Sequence, residues 1–432
     1  MTEAAIPAQP DKTKARSAFE KRLKARHATE QRFRFYGLMA IAIALSFLAV
    51  LLTRIVTQGL STFTVHSVAI EVMIDPARID RSNLEGTNFD LMVADAVLAK
   101  FGEVDDDFGT KSAKIRDLIS PDFGFQLLNM VKANPAVVGK TVTVSGPLRA
   151  DADLYFKGEI KRSMPEGERK LDIQQIDWLV KLKQSGAVKT GFNIGFFTKS
   201  DSTEPEQAGV LGAVVGSAMM LLVTALLAVP IGVMAAVYLE EFAPKGRWTD
   251  IIEVNINNLA AVPSIVYGLL GLGLFINALG VPRSSPLLGG LVLALMALPT
   301  VIIATRSSLK AVPPSIREAA LGVGASRSQA VFHHVLPLAM PGVMTGSILA
   351  LAHALGETAP LLMIGMVAFV PGVPAAFTEA ATVLPVQIFI WENASERAFH
   401  ERTAAAIMVL LVFMILMNAV AIILRRRFER RW

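Results

Sequence analysis

Not one cysteine occurs among the 432 residues, which excludes disulfides and thiol chemistry. Charge is scarce as well. Asp, Glu, Lys and Arg supply 18% of the chain against 53% apolar residues, and the mean hydropathy is +0.48. A soluble fold cannot bury that much apolar surface. The six histidines, His27, His66, His333, His334, His353 and His400, are scattered with no helical zinc spacing, so no metal is expected. No G-x-x-x-x-G-K-[ST] phosphate loop is present, and no nucleophile, base and orienting third group can be picked out. The chain is therefore not expected to be an enzyme, to hydrolyse ATP alone or to hold a cofactor.

What it does contain is long apolar runs. In lipid every backbone N–H and C=O must be paired within the segment, so a spanning helix needs roughly 20 mostly apolar residues. Six stretches qualify: residues 36–56, 209–239, 259–279, 286–307, 339–363 and 403–424. Pro230 lies inside the second and can bend it. Pro263, Gly268, Gly271 and Gly273 predict an irregular or tightly packed third. Gly212 with Gly216, and Gly342 with Gly346, have the spacing that lets membrane helices approach closely.

Basic residues orient the spans, because short loops rich in Lys and Arg stay cytoplasmic. Lys12, Lys14, Arg16, Lys21, Arg22, Lys24, Arg26, Arg32 and Arg34 precede the first span; Arg425, Arg426, Arg427, Arg430 and Arg431 follow the last. Both termini are thus expected in the cytoplasm, as an even number of crossings requires. The pI near 9.3 follows from these flanks, and no nucleic-acid-binding motif accompanies them. The first apolar run ends in Thr53-Arg54-Ile55-Val56 rather than in a small-residue cleavage site, so it reads as a span and not as a removed signal.

The chain then divides into a basic tail (1–35), a first span (36–57), a polar extracytoplasmic insert (58–208), a five-helix core (209–425) and a second basic tail (426–432). Within the insert Val68, Ile70, Val72 and Ile74 alternate with polar neighbours and predict a strand ending at Asp75-Pro76. Residues 88–101 and 122–132 have helical spacing and 140–145 look extended, so a small α+β domain fits. Asp105, Asp106 and Asp107 read as a solvated acidic loop. The insert is either a docking face or a packing addition.

The loop 308–338 is the richest in signals. Ser315 and Glu318 stand at capping-box spacing after Pro313-Pro314, Gly322 and Gly324 can end that helix, and Ser326 with Gln329 repeats the spacing. The second helix is expected to close near Leu336-Pro337, because the residue before proline disfavours helix. A short surface helix lined by Ala319, Ala320 and Gly322 lets another backbone approach closely.

Glu318-Ala319-Ala320, three residues, Gly324 and then Leu336-Pro337 resembles the EAA loop of binding-protein-dependent ABC importer permeases. His334 departs from that pattern, standing where an apolar residue is usual. Leu239-Glu240-Glu241-Phe242-Ala243-Pro244, Asn255-Ile256-Asn257-Asn258-Leu259, Val262-Pro263-Ser264-Ile265-Val266-Tyr267-Gly268 and Gly356-Glu357-Thr358-Ala359-Pro360-Leu361 resemble the PstA-type permeases of phosphate importers. The resemblance covers roughly the second half of the chain.

It implies an all-α polytopic protein of the bacterial inner membrane, with six transmembrane helices of the type I ABC importer kind. It also implies ATPase coupling through Ser315, Glu318, Ala319, Ala320, Gly322, Gly324, Leu336 and Pro337. The implied partners are a PstC-like second permease, a PstB-like ATPase dimer that uses ATP and Mg, a PstS-like phosphate-binding protein and the lipid bilayer. Glu357 within an apolar run is costly unless it faces a cavity or partner, and His353, four residues earlier, would share its helix face. With Thr358 these are candidates for the translocation path. Related permeases often carry arginine at the position of His353, so phosphate rests on the resemblance; molybdate or sulfate is the alternative. A secondary transporter and a non-transporting sensor are more distant readings.

Overall fold

The computed structural model describes residues 12–80, 83–101 and 109–428. Asp105, Asp106, Asp107, Arg430 and Arg431 lie outside the described residues. The chain splits into two compact units, Met1–Thr57 and Gln58–Trp432. The first is helical from Lys12 as the body of α1 (Lys12–Thr62), and Phe35, Leu38, Ile41, Leu45 and Phe47 stand exposed along it. Such a helix, with its apolar side chains uncovered, needs another solvent than water.

The second unit begins with a polar block built on an antiparallel sheet of order β2-β1-β3, comprising β1 (Thr64–Met73), β2 (Thr141–Pro147) and β3 (Val188–Phe192). Val72 pairs with Val142 and Val68 with Val188. Val68, Ile70 and Val72 all point inward because successive side chains alternate faces. Helices pack over that face: α2 (Phe89–Lys100), α3 (Thr110–Arg116), α4 (Asp122–Ala133), α5 (Ala150–Lys157), the single turn α6 (Glu166–Arg169) and α7 (Ile173–Gln184). Their Val93, Val97, Phe123, Leu127, Ile176 and Trp178 complete one core with the strand. The entry of α7 is fixed by a reciprocal capping box between Asp172 and Gln175.

After the short α8 (Ile194–Thr198) the helical bundle starts with α9 (Leu211–Val237), which passes through Pro230 and ends in a π-turn at Tyr238–Phe242. Next come α10 (Arg247–Ala260), α11 (Ser264–Leu270) with its π-turn continuation Gly271–Ala278, and α12 (Pro286–Lys310). The short α13 (Pro314–Gly322) leads to α14 (Arg327–Ala330), which runs through the π-turn Val331–Val335 into α15 (Leu336–Gly356). The chain ends with α16 (Ala359–Met363), α17 (Leu384–Glu392) and α18 (Arg397–Phe428).

Among the described residues five helices are long and apolar enough to cross a membrane, or six if the bent pair α10 and α11 counts as one crossing. The packing of its neighbours supports that count. A Cβ on Gly290 would strike Val223, and one on Gly232 would strike Val301, so α9 and α12 lie side by side and run parallel. The chain between two parallel neighbours must return across the bundle, and the bent pair is what returns. Sequence reasoning expects one span at 259–279; instead a 103° bend separates α10 from α11, and residues 259 and 260 belong to the first arm. Pro263 forces the break, because the residue before proline is pushed out of the helical region.

Two more expectations change. The fifth span does not run to residue 363: α15 stops at Gly356, and Glu357 is extended at φ −78°, ψ 125°. Nor does the loop's second helix close at Leu336-Pro337, since α14 continues as one 30-residue helix to Gly356. The π-turn just before Pro337 widens the backbone where the missing N–H would otherwise break the ladder. The glycine pairs do pack closely: a Cβ on Gly342 would lie 2.3 Å from the Ser308 hydroxyl and one on Gly346 2.2 Å from Ala304 Cβ.

Candidate functional site

Two parallel helices, α9 and α12, end on the same level, and α13 is fastened across their ends. Its N-terminus starts at Pro313 and Pro314, with no side-chain cap. The expected Ser315 and Glu318 capping box is absent. Proline's fixed φ suits the first helical position, so the diproline moves the start two residues earlier and leaves both side chains within the helix, exposed. The other end is as expected of glycine. Gly324 takes φ +89°, its N–H bonds the Leu321 carbonyl at 3.0 Å, and Ala325 N–H bonds the Ala320 carbonyl at 3.0 Å. That is a Schellman closure. The second capping box forms, with Ser326 N–H on Gln329 Oε1 at 2.9 Å and Gln329 N–H on Ser326 Oγ at 3.3 Å.

Arg317 fastens the helix. Its Nε donates to both carboxylate oxygens of Glu241 at 3.1 and 3.2 Å, and its Nη2 donates to Oε1 at 2.5 Å. Nη1 donates to the Val312 carbonyl at 2.8 Å and Nη2 to that of Leu309 at 2.9 Å. Glu241 is buried in the last turn of α9, and Leu309 is in the last turn of α12. One guanidinium thus ties α13 to the ends of two spans with a planar, bidentate fork that lysine could not reproduce. Beside it Arg306 pairs with Glu253 of α10 at 2.9 Å and with Glu240 at 3.4 Å.

The other face of α13 is open. Ser315, Glu318, Ala319, Gly322 and Gly324 are exposed and only Ala320 is buried. Val323 is 86% exposed and Leu321 50%, with Phe332 and His334 also uncovered nearby. Leu336 and Pro337 lie half-buried on the following helix rather than on this face. Sequence reasoning did not assign Arg317 or Glu241 a role. Their 76-residue separation hides the pair, although Glu241 lies within Leu239-Glu240-Glu241-Phe242-Ala243-Pro244.

At the opposite end of α15, His353 Nε2 stands 3.2 Å from Glu357 Oε1. The expected stacking is present, with Glu357 just beyond the helix rather than inside it. His353 is 70% exposed and Glu357 20%. Thr358 is half-buried, and its carbonyl accepts the Leu361 and Leu362 N–H groups that begin α16. α16 packs on α11 so tightly that a Cβ on Gly268 would lie 2.8 Å from Pro360. Two broken helices therefore meet next to Glu357. Among the described residues no cluster of three or more metal-ligating side chains occurs.

Several helices able to cross a membrane, with an open helix clamped across the ends of two of them, define a multi-pass membrane protein. A family profile described as "Binding-protein-dependent transport system inner membrane component" matches residues 228–432, and one described as a domain of unknown function (DUF3333) matches residues 20–166. The phosphate transport system permease protein PstA 1 of Mycobacterium tuberculosis is 34% identical over 230 residues, covering 52% of this chain and 74% of that protein. The PstA of Yersinia pestis is 30% identical over 251 residues, covering 56% and 82%. Among solved structures, the inward-facing MetNI methionine ABC transporter aligns over 51% of this chain and 96% of that chain, at 17% identity and a TM-score of 0.43. This chain belongs to the PstA family of binding-protein-dependent ABC importer permeases.

Proposed function

We propose that this chain is the transmembrane permease subunit of an ATP-driven importer of inorganic phosphate, forming half of the translocation path. The observation that carries the coupling is α13, held by Arg317 to the ends of α9 and α12 while Leu321 and Val323 face outward. A separate ATPase dimer, PstB-like and using ATP with Mg, grips that face from the cytoplasm. Because the bidentate clamp leaves little play, a rigid-body shift of α13 passes directly into both spans. The similarity to relatives named phosphate transport permeases supports the substrate. A PstC-like second permease supplies the other half of the path, and a PstS-like binding protein delivers phosphate from outside. Both termini are cytoplasmic and the 58–208 block is extracytoplasmic.

His353, Glu357 and Thr358 face the path. A side chain as exposed as His353 at the end of an apolar helix needs a polar neighbour, and a water-filled route between two permease halves provides one. Held in orientation by Glu357, the imidazole can offer a ring N–H to an anion.

Radiolabelled phosphate uptake into vesicles holding the assembled complex tests this reading. ATP-dependent uptake that excess unlabelled phosphate abolishes, and sulfate or molybdate does not, is expected. Competition by sulfate or molybdate alone would reassign the substrate, and uptake that survives ATP depletion would overturn the coupling. His353→Asn and Glu357→Gln are each expected to lower uptake about tenfold, the loss of one charge-assisted contact, with assembly intact. Unchanged uptake would remove them from the path.

A further inference from the structure

An aromatic ladder climbs out of the bundle at the end that bears the polar block. Phe192 closes β3 and stacks on Phe197 at 5.8 Å; Phe197 stacks on Phe63 at 5.5 Å, and Phe63 meets Phe196 at 5.9 Å. Phe196 then meets Trp391 of α17 at 6.4 Å, and Trp391 meets Phe399 of α18 at 6.0 Å. The inner rungs Phe196, Trp391 and Phe399 are buried, and the Trp391 indole donates to Asp201 at 3.0 Å. The outer rungs are not. Phe192 is 62% exposed and Phe197 38%, and Ile194 between them in the chain is 64% exposed.

Backbone contacts fix the level of this face. Val210 N–H bonds the Phe196 carbonyl at 2.8 Å, and Leu211 N–H, the first of α9, bonds the Lys199 carbonyl at 3.0 Å. A Cβ on Gly209 would lie 2.3 Å from that carbonyl oxygen, so only glycine lets α8 press this closely on the end of α9. Asn193 Nδ2 donates to the Thr62 carbonyl at 3.0 Å. α8 is therefore a collar on the first turn of a spanning helix, at the height where apolar chain gives way to water. From Leu211 an outward stripe continues at helical spacing through Val215, Ala218, Leu222 and Leu226, the surface that lipid tails cover. Lys189, three residues before Phe192, and Lys199, two after Phe197, are exposed.

We propose that Phe192, Ile194 and Phe197 are seated in the boundary between headgroups and acyl chains of the bilayer, with Lys189 and Lys199 reaching its phosphates. Aromatic rings concentrate at that depth, and lysine stems extend along apolar surface to place the ammonium in the polar layer. Three adjacent side chains without a polar atom, flanked by two positive charges and continuous with a lipid-facing stripe, fit anionic lipid better than a polar protein rim. The polar block is thereby moored to the membrane beside its covalent link to α9.

The natural absence of cysteine makes the test direct. Single variants Ile194→Cys, Phe197→Cys and, as a water-exposed reference, Gly167→Cys are spin-labelled in the full chain. Each is reconstituted into vesicles of phosphatidylethanolamine and phosphatidylglycerol, alone and with its co-expressed partner subunits. Collision of the label with oxygen relative to a water-soluble nickel chelate is expected to be severalfold higher at 194 and 197 than at 167, with and without partners. A ratio equal to that at 167 would overturn the proposal. Shielding from both reagents once partners are present would give the face to a protein partner instead, which also overturns it. Because Ile194 is largely exposed its replacement opens no cavity, and Phe192→Cys provides a further site should Phe197→Cys disturb the ladder.

Discussion

The 58–208 block and the helical bundle that follows it in the chain differ in what holds their closest contacts. In the block large residues go inside: Trp178, Phe123, Leu127 and Ile176 are almost wholly enclosed around one face of a three-stranded sheet. In the bundle Leu288, Leu293 and Trp391 are buried too, but the closest helix contacts are made by small residues, with Gly342 and Gly346 against Ser308 and Ala304, while Leu222, Leu226, Ile415 and Leu416 face outward. Water rewards apolar burial and so selects bulk; lipid does not distinguish leucine inside from leucine outside, so close backbone approach becomes the source of cohesion. The charged groups follow the same division. The block spreads ion pairs over its surface, whereas the bundle gathers Arg306, Arg317, Glu240, Glu241 and Glu253 at the end that carries α13.

That contrast can be sharpened by substitution. Leu127→Ala should cost about 2–5 kcal/mol, the transfer term plus the cavity it leaves. Urea unfolding of the detergent-solubilised chain, followed by Trp178 fluorescence, should show the block's transition move to lower urea; an unmoved midpoint would mean the block's core is not held by bulk. Gly346→Leu works the other way, by adding atoms where a Cβ already lies 2.2 Å from Ala304. A cost of about 1–3 kcal/mol is expected, read as earlier loss of the monodisperse peak on heating, with the block's urea midpoint unchanged.

The third and smallest effect concerns pH. Burial raises the Asp151 carboxyl, against the opposing charges of Lys170 and Arg149, and burial likewise raises Glu206. The folded block therefore holds these protons more tightly than the unfolded chain does. Their contribution is greatest at acid pH and is lost as pH rises from the unfolded value, about 4, through the raised folded one. Asp153 has the reverse sign. Burial alone would raise it, but the His66 hydrogen bond at 2.8 Å and Lys157 at 2.7 Å hold it low, so its contribution is present above the unfolded value and fades only as pH falls through the depressed one. Asp151→Asn should then raise the block's melting temperature at about pH 7 and change it little near pH 4. A variant equally stabilised at both would show that the buried charge is not the cause.

Much of this is legible in the sequence. Apolar run length marks the crossings, the alternation of Val68, Ile70, Val72 and Ile74 marks β1, and Ser326 with Gln329 marks the start of α14. What escaped are features in which a proline competes with a local pattern or a partner lies far along the chain. Pro314 overrides the spacing of Ser315 and Glu318. Pro263 turns one expected span into two arms, yet Pro337 breaks nothing because a π-turn absorbs it. The Arg317 clamp needs the parallel packing of α9 and α12, which no local window contains.

The most direct test of the central claim is whether α13 is the handle by which an ATPase moves the bundle. Val323→Asp, on the most open part of that face, should abolish co-purification of the ATPase with the chain. Arg317→Ala should keep the ATPase bound but uncouple it, because Glu241 would lose its partner and α13 its tie to both spans. ATP hydrolysis persisting without uptake in the Arg317 variant, and no bound ATPase in the Val323 variant, is the expected pair of results. Full ATP-driven uptake in both would contradict it.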